Sequence, residues 1–531
     1  MATVREATYD LMRSLALTTI FGNPGSTEVP FLTDYPRDFT YVLALQEASA
    51  VAMADGYAQG TGRPALVNLH TAPGLGNAMG TLVTAWHNRT PLIVTAGQQT
   101  REMLVLEPFL TNLDATTMPR PWVKWSYETA RAQDAPPALM RAYAAAVQPP
   151  AGPVFLSIPM DDWEKPEGRR VEARQISHRQ APDPEAIQRL ARVLAESRNP
   201  VLVLGGAVDR SRGWEAAVAL AERLRAPVWA APICERAVFP ENHPQYQGEL
   251  PLATTSLAEK LRGHDVALVV GAPVFRYYLY VAGDYLPEGT RLFLVTDDPN
   301  DAARAPVGDS VLADPGLACA ALETLVPVSE RAAPERRPPA PVPAAETPIS
   351  AAYLFHALAQ VKPPDAVIAA ECPSNLGDLH TYVRQTLPST FFISASGGLG
   401  FGLPAAVGLA LAERDTRRNR RVIAVIGDGS AEYSIQALWT AAQHDLPVVF
   451  LILRNGGYAI LRAFETFVHA RGVPGLDLPG LDFVRQAEGF GCAGRRIAEP
   501  GELEDGLRDA LRNDRPTVLE VALKSEAPPL R

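Results

Sequence analysis

Cysteine is scarce in this chain. Cys234, Cys319, Cys372 and Cys492 are the only four in 531 residues, they lie far apart, and no C-x-x-C pair occurs. That spacing argues against a disulfide framework or structural zinc and suits a reducing cytoplasm. Long apolar runs are missing too: nowhere do about 18 apolar residues follow one another, so no helical membrane span is expected. The opening "MATVREATYDLMRSLALTTIFGNPG" carries acids and has no extended apolar core with a cleavage site, so no secretory leader is expected. Tyr9, Leu11, Met12, Leu15 and Leu17 instead space as one helical face. Positive charge is in deficit. A net charge of -10 without a basic stripe argues against nucleic acid as partner, while leaving small anionic substrates open.

What is present is a globular composition, 47% hydrophobic, long enough for roughly three or four domains of about 150 residues. Short runs apolar at every position recur at 41–45, 64–69, 91–97, 200–206, 265–271, 291–296, 421–427 and 448–453, with helical patterns between them. Such runs suit strands buried on both faces of a parallel sheet, and the alternation predicts α/β domains of βαβ units. Two polar, proline-containing segments interrupt the rhythm, 164–184 and 330–348. The expected organisation is three consecutive α/β domains with mainly parallel sheets, over 1–163, 184–329 and 349–531. Residues 330–348 would form an extended, poorly packed linker. No exact sequence repeat relates the parts.

The stretch "VIGDGS" poses the first chemical question. Asp428 lies in a glycine-rich loop after an apolar run, where a phosphate would meet an unwelcome charge. A tight turn would account for the tripeptide alone. The next strand, however, runs into Asn455 of "RNGGY", so Asp428 and Asn455 end the two strands of one βαβ unit. Ligands of open α/β sheets bind outside those ends. A carboxylate and an amide oxygen there are hard ligands that, with a backbone carbonyl, water and diphosphate oxygens, complete the octahedron of Mg²⁺. The first third of the chain carries its own candidates: Ser26, Glu47 and His70 follow three successive predicted strands and can converge. Each has a plainer reading, as a turn residue, a helix-dipole acid and a structural histidine. The apolar setting "LALQEASAVAMA" suits Glu47 to proton exchange. Leu403 reads equally as a core leucine, and Leu461 with Phe464 as an ordinary apolar helix face.

"GDGS" followed by "RNGGY" resembles the cofactor motif of thiamine-diphosphate-dependent enzymes. "TIFGNPGSTEVPFL", "ALQEASAVAMADGYAQ", "VNLHTAPGLGNAMG", "PLIVTAGQQTREM", "GAPVFRYY", "GGLGFGLPAA" and "VPGLDLPGLDF" are similar to the benzoylformate decarboxylase family, in order and over almost the whole chain. The resemblance implies a pyrimidine-binding first domain, a middle domain that in some relatives carries FAD or a nucleotide, and a diphosphate-binding third domain. It implies thiamine diphosphate with Mg²⁺, or Ca²⁺, and a homo-oligomer, usually a tetramer, with each site shared between two subunits. Gly427, Asp428, Gly429, Ser430 and Asn455 would hold the diphosphate, and Asp428, Asn455 and the Gly457 carbonyl the metal. Glu47 would bond the aminopyrimidine and sustain the tautomer that activates the cofactor. Leu403 would wedge the cofactor into its bent shape. Ser26 would bond the substrate carboxylate, His70 would shuttle protons, and Ile460, Leu461 and Phe464 would line the pocket. The implied reaction is non-oxidative decarboxylation of a 2-oxo acid, phenylglyoxylate to benzaldehyde.

The pattern departs from the family in places. Tyr278 stands where the family has a second active-site histidine, and a phenol is a weaker acid than an imidazole near neutrality. Slower protonation after CO₂ leaves would favour carboligation. Ile460 replaces a small alanine, which would shrink the pocket toward aliphatic substrates. Gly457 replaces a threonine that supplies only a carbonyl. Arg454 replaces the first asparagine of a usual pair and has no account from sequence. A decarboxylase of aliphatic 2-oxo acids, a carboligase, a non-catalytic cofactor-binding paralogue and, least well matched, a nucleotide-binding dehydrogenase are the competing readings.

Overall fold

Strands apolar at every position need cover on both faces, and the chain provides it three times over. The computed structural model describes residues 2–278 and 281–530 and contains three six-stranded sheets in which every pairing is parallel. The first comprises β1 (Thr19–Gly22), β2 (Thr40–Leu43), β3 (Ala65–Leu69), β4 (Leu92–Gln98), β5 (Ser126–Glu128) and β6 (Val154–Pro159). The second comprises β7 (Pro200–Leu204), β8 (Val228–Ala230), β9 (Tyr246–Glu249), β10 (Val266–Val270), β11 (Arg291–Thr296) and β12 (Asp309–Leu312). The third comprises β13 (Val367–Glu371), β14 (Phe391–Ile393), β15 (Val422–Gly427), β16 (Val448–Arg454), β17 (Ala493–Ile497) and β18 (Thr517–Ala522). Each apolar run read from the sequence coincides with one of these strands. The N-terminal helical face is the helix Val4–Ser14, which buries Tyr9, Leu11 and Met12. Among the described residues no helix is long and apolar enough to cross a membrane.

The first sheet runs β2-β1-β3-β4-β6-β5 and the third β14-β13-β15-β16-β18-β17, the same path counted from each sheet's own first strand. They share one apolar cluster, centred on the helices Glu47–Thr61 and Gly402–Asp415. These helices meet almost backbone to backbone. A Cβ at Gly408 would lie 1.9 Å from the Met53 carbonyl oxygen, and one at Gly56 would lie 2.2 Å from that of Ala405. Only glycine permits that approach.

The middle sheet, β12-β11-β10-β7-β8-β9, has the strand order of doubly wound dinucleotide-binding folds. Buried ion pairs line its crevice beside β7. A Cβ at Gly206 would lie 2.3 Å from Glu235 Oε1, and the buried Glu235 carboxylate pairs with Arg210 and, at 3.0 Å, with Arg276. Burial alone would raise this carboxyl, but the Arg276 and Arg210 guanidiniums outweigh it and hold it down to about 2. A depressed carboxyl contributes stability that is full above its unfolded value of 4.5 and lost as pH falls toward 2. The contribution is about 3 kcal/mol at neutrality. Glu235→Gln should therefore destabilise the middle domain by about that amount at pH 7 and hardly at all near pH 2. Denaturant unfolding at the two pH values measures it; equal losses at both would contradict the ion-pair account.

The segment 330–348 contains no helix or strand, as its prolines require, and none of its residues is buried, though hydrogen bonds tie it to the folded body. The Arg331 guanidinium donates to the carbonyls of Leu194 and Ser197, at the end of the helix Pro184–Glu196, and to that of Leu224, the last residue of the helix Trp214–Leu224. The Tyr382 hydroxyl donates to the Pro341 carbonyl at 3.1 Å.

Candidate active site

In the first sheet β2, β1 and β3 are neighbours, so the loops after them share one edge. Glu47 opens its helix and is 8% exposed. Its Oε1 accepts from Asn23 Nδ2 at 3.4 Å and its Oε2 from Asn77 Nδ2 at 3.0 Å. A Cβ added to Gly74 would lie 3.4 Å from Glu47 Cγ and 3.5 Å from His70 Cβ, so acid and imidazole flank one glycine. His70 ends the strand segment at β3 and precedes the helix Thr71–His87. Its Nδ1 donates to Glu28 Oε2 at 2.8 Å, with Thr27 Oγ1 at 3.1 Å. A carboxylate can only accept, which leaves the other ring nitrogen, Nε2, to do chemistry. Glu28 is fully buried and also accepts from the Gly25 and Gly97 backbone N–H groups and the Thr27 hydroxyl. Ser26 is exposed in the same turn, whose Gly25 lies against the His70 ring; a Cβ there would fall 2.1 Å from Nδ1.

The sheet edge of the third domain holds the other group. Asp428 follows β15 and is 3% exposed. Its Oδ1 accepts from Gly429 N at 2.8 Å, and its Oδ2 reaches across to Gly456 N, in the loop after β16, at 2.7 Å. Burial pushes this carboxyl up against the pull of those N–H groups. No arginine, lysine or histidine pairs with it among the described residues. A buried carboxylate without a protein cation, beside an amide oxygen and the Gly457 loop carbonyl, which takes only the Ala459 N–H at 3.1 Å, is a donor set that fits a divalent cation. Asn455 Oδ1 accepts from Gly457 N at 3.1 Å, and Gly457 is pinned by a bridge to Asp477. Arg454, unexplained from sequence, lies 3.4 Å from the fully buried Glu520, which also takes Arg496 at 2.8 Å. It anchors the strand end.

Leu403, the second residue of its helix, is 1% exposed within the cluster shared by the first and third domains. Ile460 is half-buried, its N–H donating to Ser374 Oγ at 3.0 Å. Leu461 is exposed and Phe464 half-buried on the helix Ala459–Phe467. The Tyr278 ring packs edge-on against Phe464 with centroids 5.6 Å apart, so a middle-domain residue reaches the predicted pocket helix. No hydrogen bond among the described residues joins Glu47, His70 or Ser26 to Asp428, Asn455 or Gly457. Sequence reasoning missed Glu28, Asn23, Asn77 and Glu371. Glu28, two residues after Ser26, offers only the signal of an acid near a turn.

Three family profiles match the chain. They are described as "Thiamine pyrophosphate enzyme, N-terminal TPP binding domain" over residues 2–118, "central domain" over 187–322 and "C-terminal TPP binding domain" over 374–521. A benzoylformate decarboxylase of Pseudomonas aeruginosa is 48% identical over 99% of this chain and 100% of its own length. The crystal structure of benzoylformate decarboxylase from Polynucleobacter necessarius is 48% identical, covers both chains completely and gives a TM-score of 0.98. The thiamine diphosphate-dependent 4-hydroxybenzoylformate decarboxylase of Rhodococcus jostii is 45% identical over 99% of this chain and 100% of that one, with a TM-score of 0.96.

Proposed function

The chain belongs to the thiamine pyrophosphate enzyme family, and from that premise we propose that it is a carboxy-lyase acting on benzoylformate or a ring-substituted relative. The observation that carries the reading is the placement of buried Glu47 and half-buried His70 on either side of Gly74. Thiamine diphosphate, when bound, supplies the electron sink that lets the bond to the substrate carboxylate break. Asp428, Asn455 and the Gly457 carbonyl offer hard oxygens to Mg²⁺, or Ca²⁺, at the diphosphate, with Gly427, Gly429 and Ser430 giving the loop its close backbone approach. Leu403 supports the cofactor's shape. Glu47 holds and releases a proton at its carboxyl toward the aminopyrimidine. His70, fixed at Nδ1 by Glu28, takes and returns a proton at Nε2 beside the substrate carbonyl. Ser26 donates its hydroxyl to the substrate carboxylate, and the Tyr278 hydroxyl serves as a second donor. Ile460, Leu461 and Phe464 bound the side-chain pocket.

The assembly belongs to the same proposal. Met103, Val105, Leu106, Phe109 and Leu113 are exposed on the first domain. Such a patch supports a partner, and the partner that completes a site is the third domain of a second copy, in a dimer or a dimer of dimers. Four buried free cysteines suit a reducing cytoplasm.

The test is aldehyde release from benzoylformate, 4-hydroxybenzoylformate and an aliphatic 2-oxo acid by protein stripped of ligands. Turnover of the aromatic acids is expected only with thiamine diphosphate and Mg²⁺ together. Turnover of the aliphatic acid alone, or none at saturating cofactor, would overturn the aromatic assignment.

A further inference from the structure

We propose that Glu371 is a positioning residue for the cofactor, whose carboxylate locks the start of the helix Gly402–Asp415 onto the end of β13, beside the strand that leads into the diphosphate loop, and thereby sets how tightly thiamine diphosphate is held. The inference rests on the thiamine diphosphate reading above and adds to it a residue that touches neither substrate nor reacting atoms. Glu371 ends β13, paired in register with Ile426, two residues before Asp428. Its Oε1 accepts from Gly400 N at 2.7 Å, and its Oε2 from Phe401 N at 2.7 Å and Gly402 N at 2.6 Å.

The partners decide the argument. The residue is 6% exposed, and no arginine, lysine or histidine pairs with it among the described residues. A carboxylate placed for stability alone would be expected to meet a cation, because an unpaired buried charge is costly. Here the carboxylate is held by the N–H dipoles of Gly400, Phe401 and Gly402, at the start of a helix of the cofactor seat. Gly402 immediately precedes Leu403. The helix start lies directly on the strand end, since a Cβ at Gly402 would sit 2.7 Å from Glu371 Cβ. No slack remains between them. The corresponding station of the first domain differs: Asn23, after β1, donates its amide to the Glu47 carboxylate and, among the described residues, to no backbone group of the helix Glu47–Thr61.

Glu371→Gln keeps the shape but turns an amide NH₂ toward backbone donors. The concentration of thiamine diphosphate giving half-maximal activity, at fixed Mg²⁺, should rise at least tenfold. At saturating cofactor the KM for the 2-oxo acid should stay within twofold, and the Tm of the cofactor-free protein within a few degrees. Glu371→Asp, which keeps the charge on a shorter arm, should fall between the two and serves where the glutamine variant does not fold. An unchanged half-activation concentration in a folded variant would overturn the inference, as would a fall in cofactor-free Tm large enough to account for the loss. Failure of the wild type to bind thiamine diphosphate would instead remove the functional reading.

Discussion

Glu47→Gln should lower aldehyde release about a thousandfold while thiamine diphosphate remains bound. The side chain is nearly isosteric, and its two neighbours, Asn23 and Asn77, are amides that can rotate to accept a new amide. What the substitution removes is the exchangeable proton. Loss of a well-placed acid–base group costs about 10² to 10⁴ in rate, and the upper part of that range applies where the group serves every turnover. Steady-state kinetics at saturating cofactor, with binding followed separately by tryptophan quenching, would check it. A variant retaining more than a tenth of the activity would deny Glu47 its role.

Asp428→Ala should act on binding, not on chemistry. It removes a buried carboxylate of the diphosphate loop and the acceptor that joins Gly429 to Gly456. Half-activation by Mg²⁺ and by thiamine diphosphate should both rise at least a hundredfold, with much of the residual rate restored at high concentrations of both. Charge-assisted ligation of this kind is worth several kcal/mol in a dry site. Calorimetric titration of cofactor at fixed Mg²⁺ measures the loss directly. Unchanged binding would show that Asp428 is only a turn residue, which is how "GDGS" reads in isolation.

The sheets were legible because burial on both faces writes itself as uninterrupted apolar sequence, as in "ALVNL" of β3 and "VVFLIL" of β16. Some edge strands announce little: β5 is "SYE" and β17 is "AGRRI". The pairing of Asp428 with Asn455 could be read because both lie in one βαβ unit. Glu28 and Glu371 could not. Glu28 meets His70 from 42 positions away, and Glu371 meets Gly400 from 29, distances closed only by the order in which strands lie in a sheet. Nor does composition reveal that Arg331 ties a proline-rich segment to three carbonyls, since a single side chain does that work.

The matching paths of the first and third sheets carry a consequence. Corresponding strands end at corresponding stations: His70 after β3 answers to Asp428 after β15, and Gln99 after β4 to Asn455 after β16. One sheet path thus presents an imidazole at a station where the other presents a carboxylate. A scaffold of this kind separates shape from chemistry, because segments such as 23–28 and 455–460 can change without redrawing the core that both sheets share.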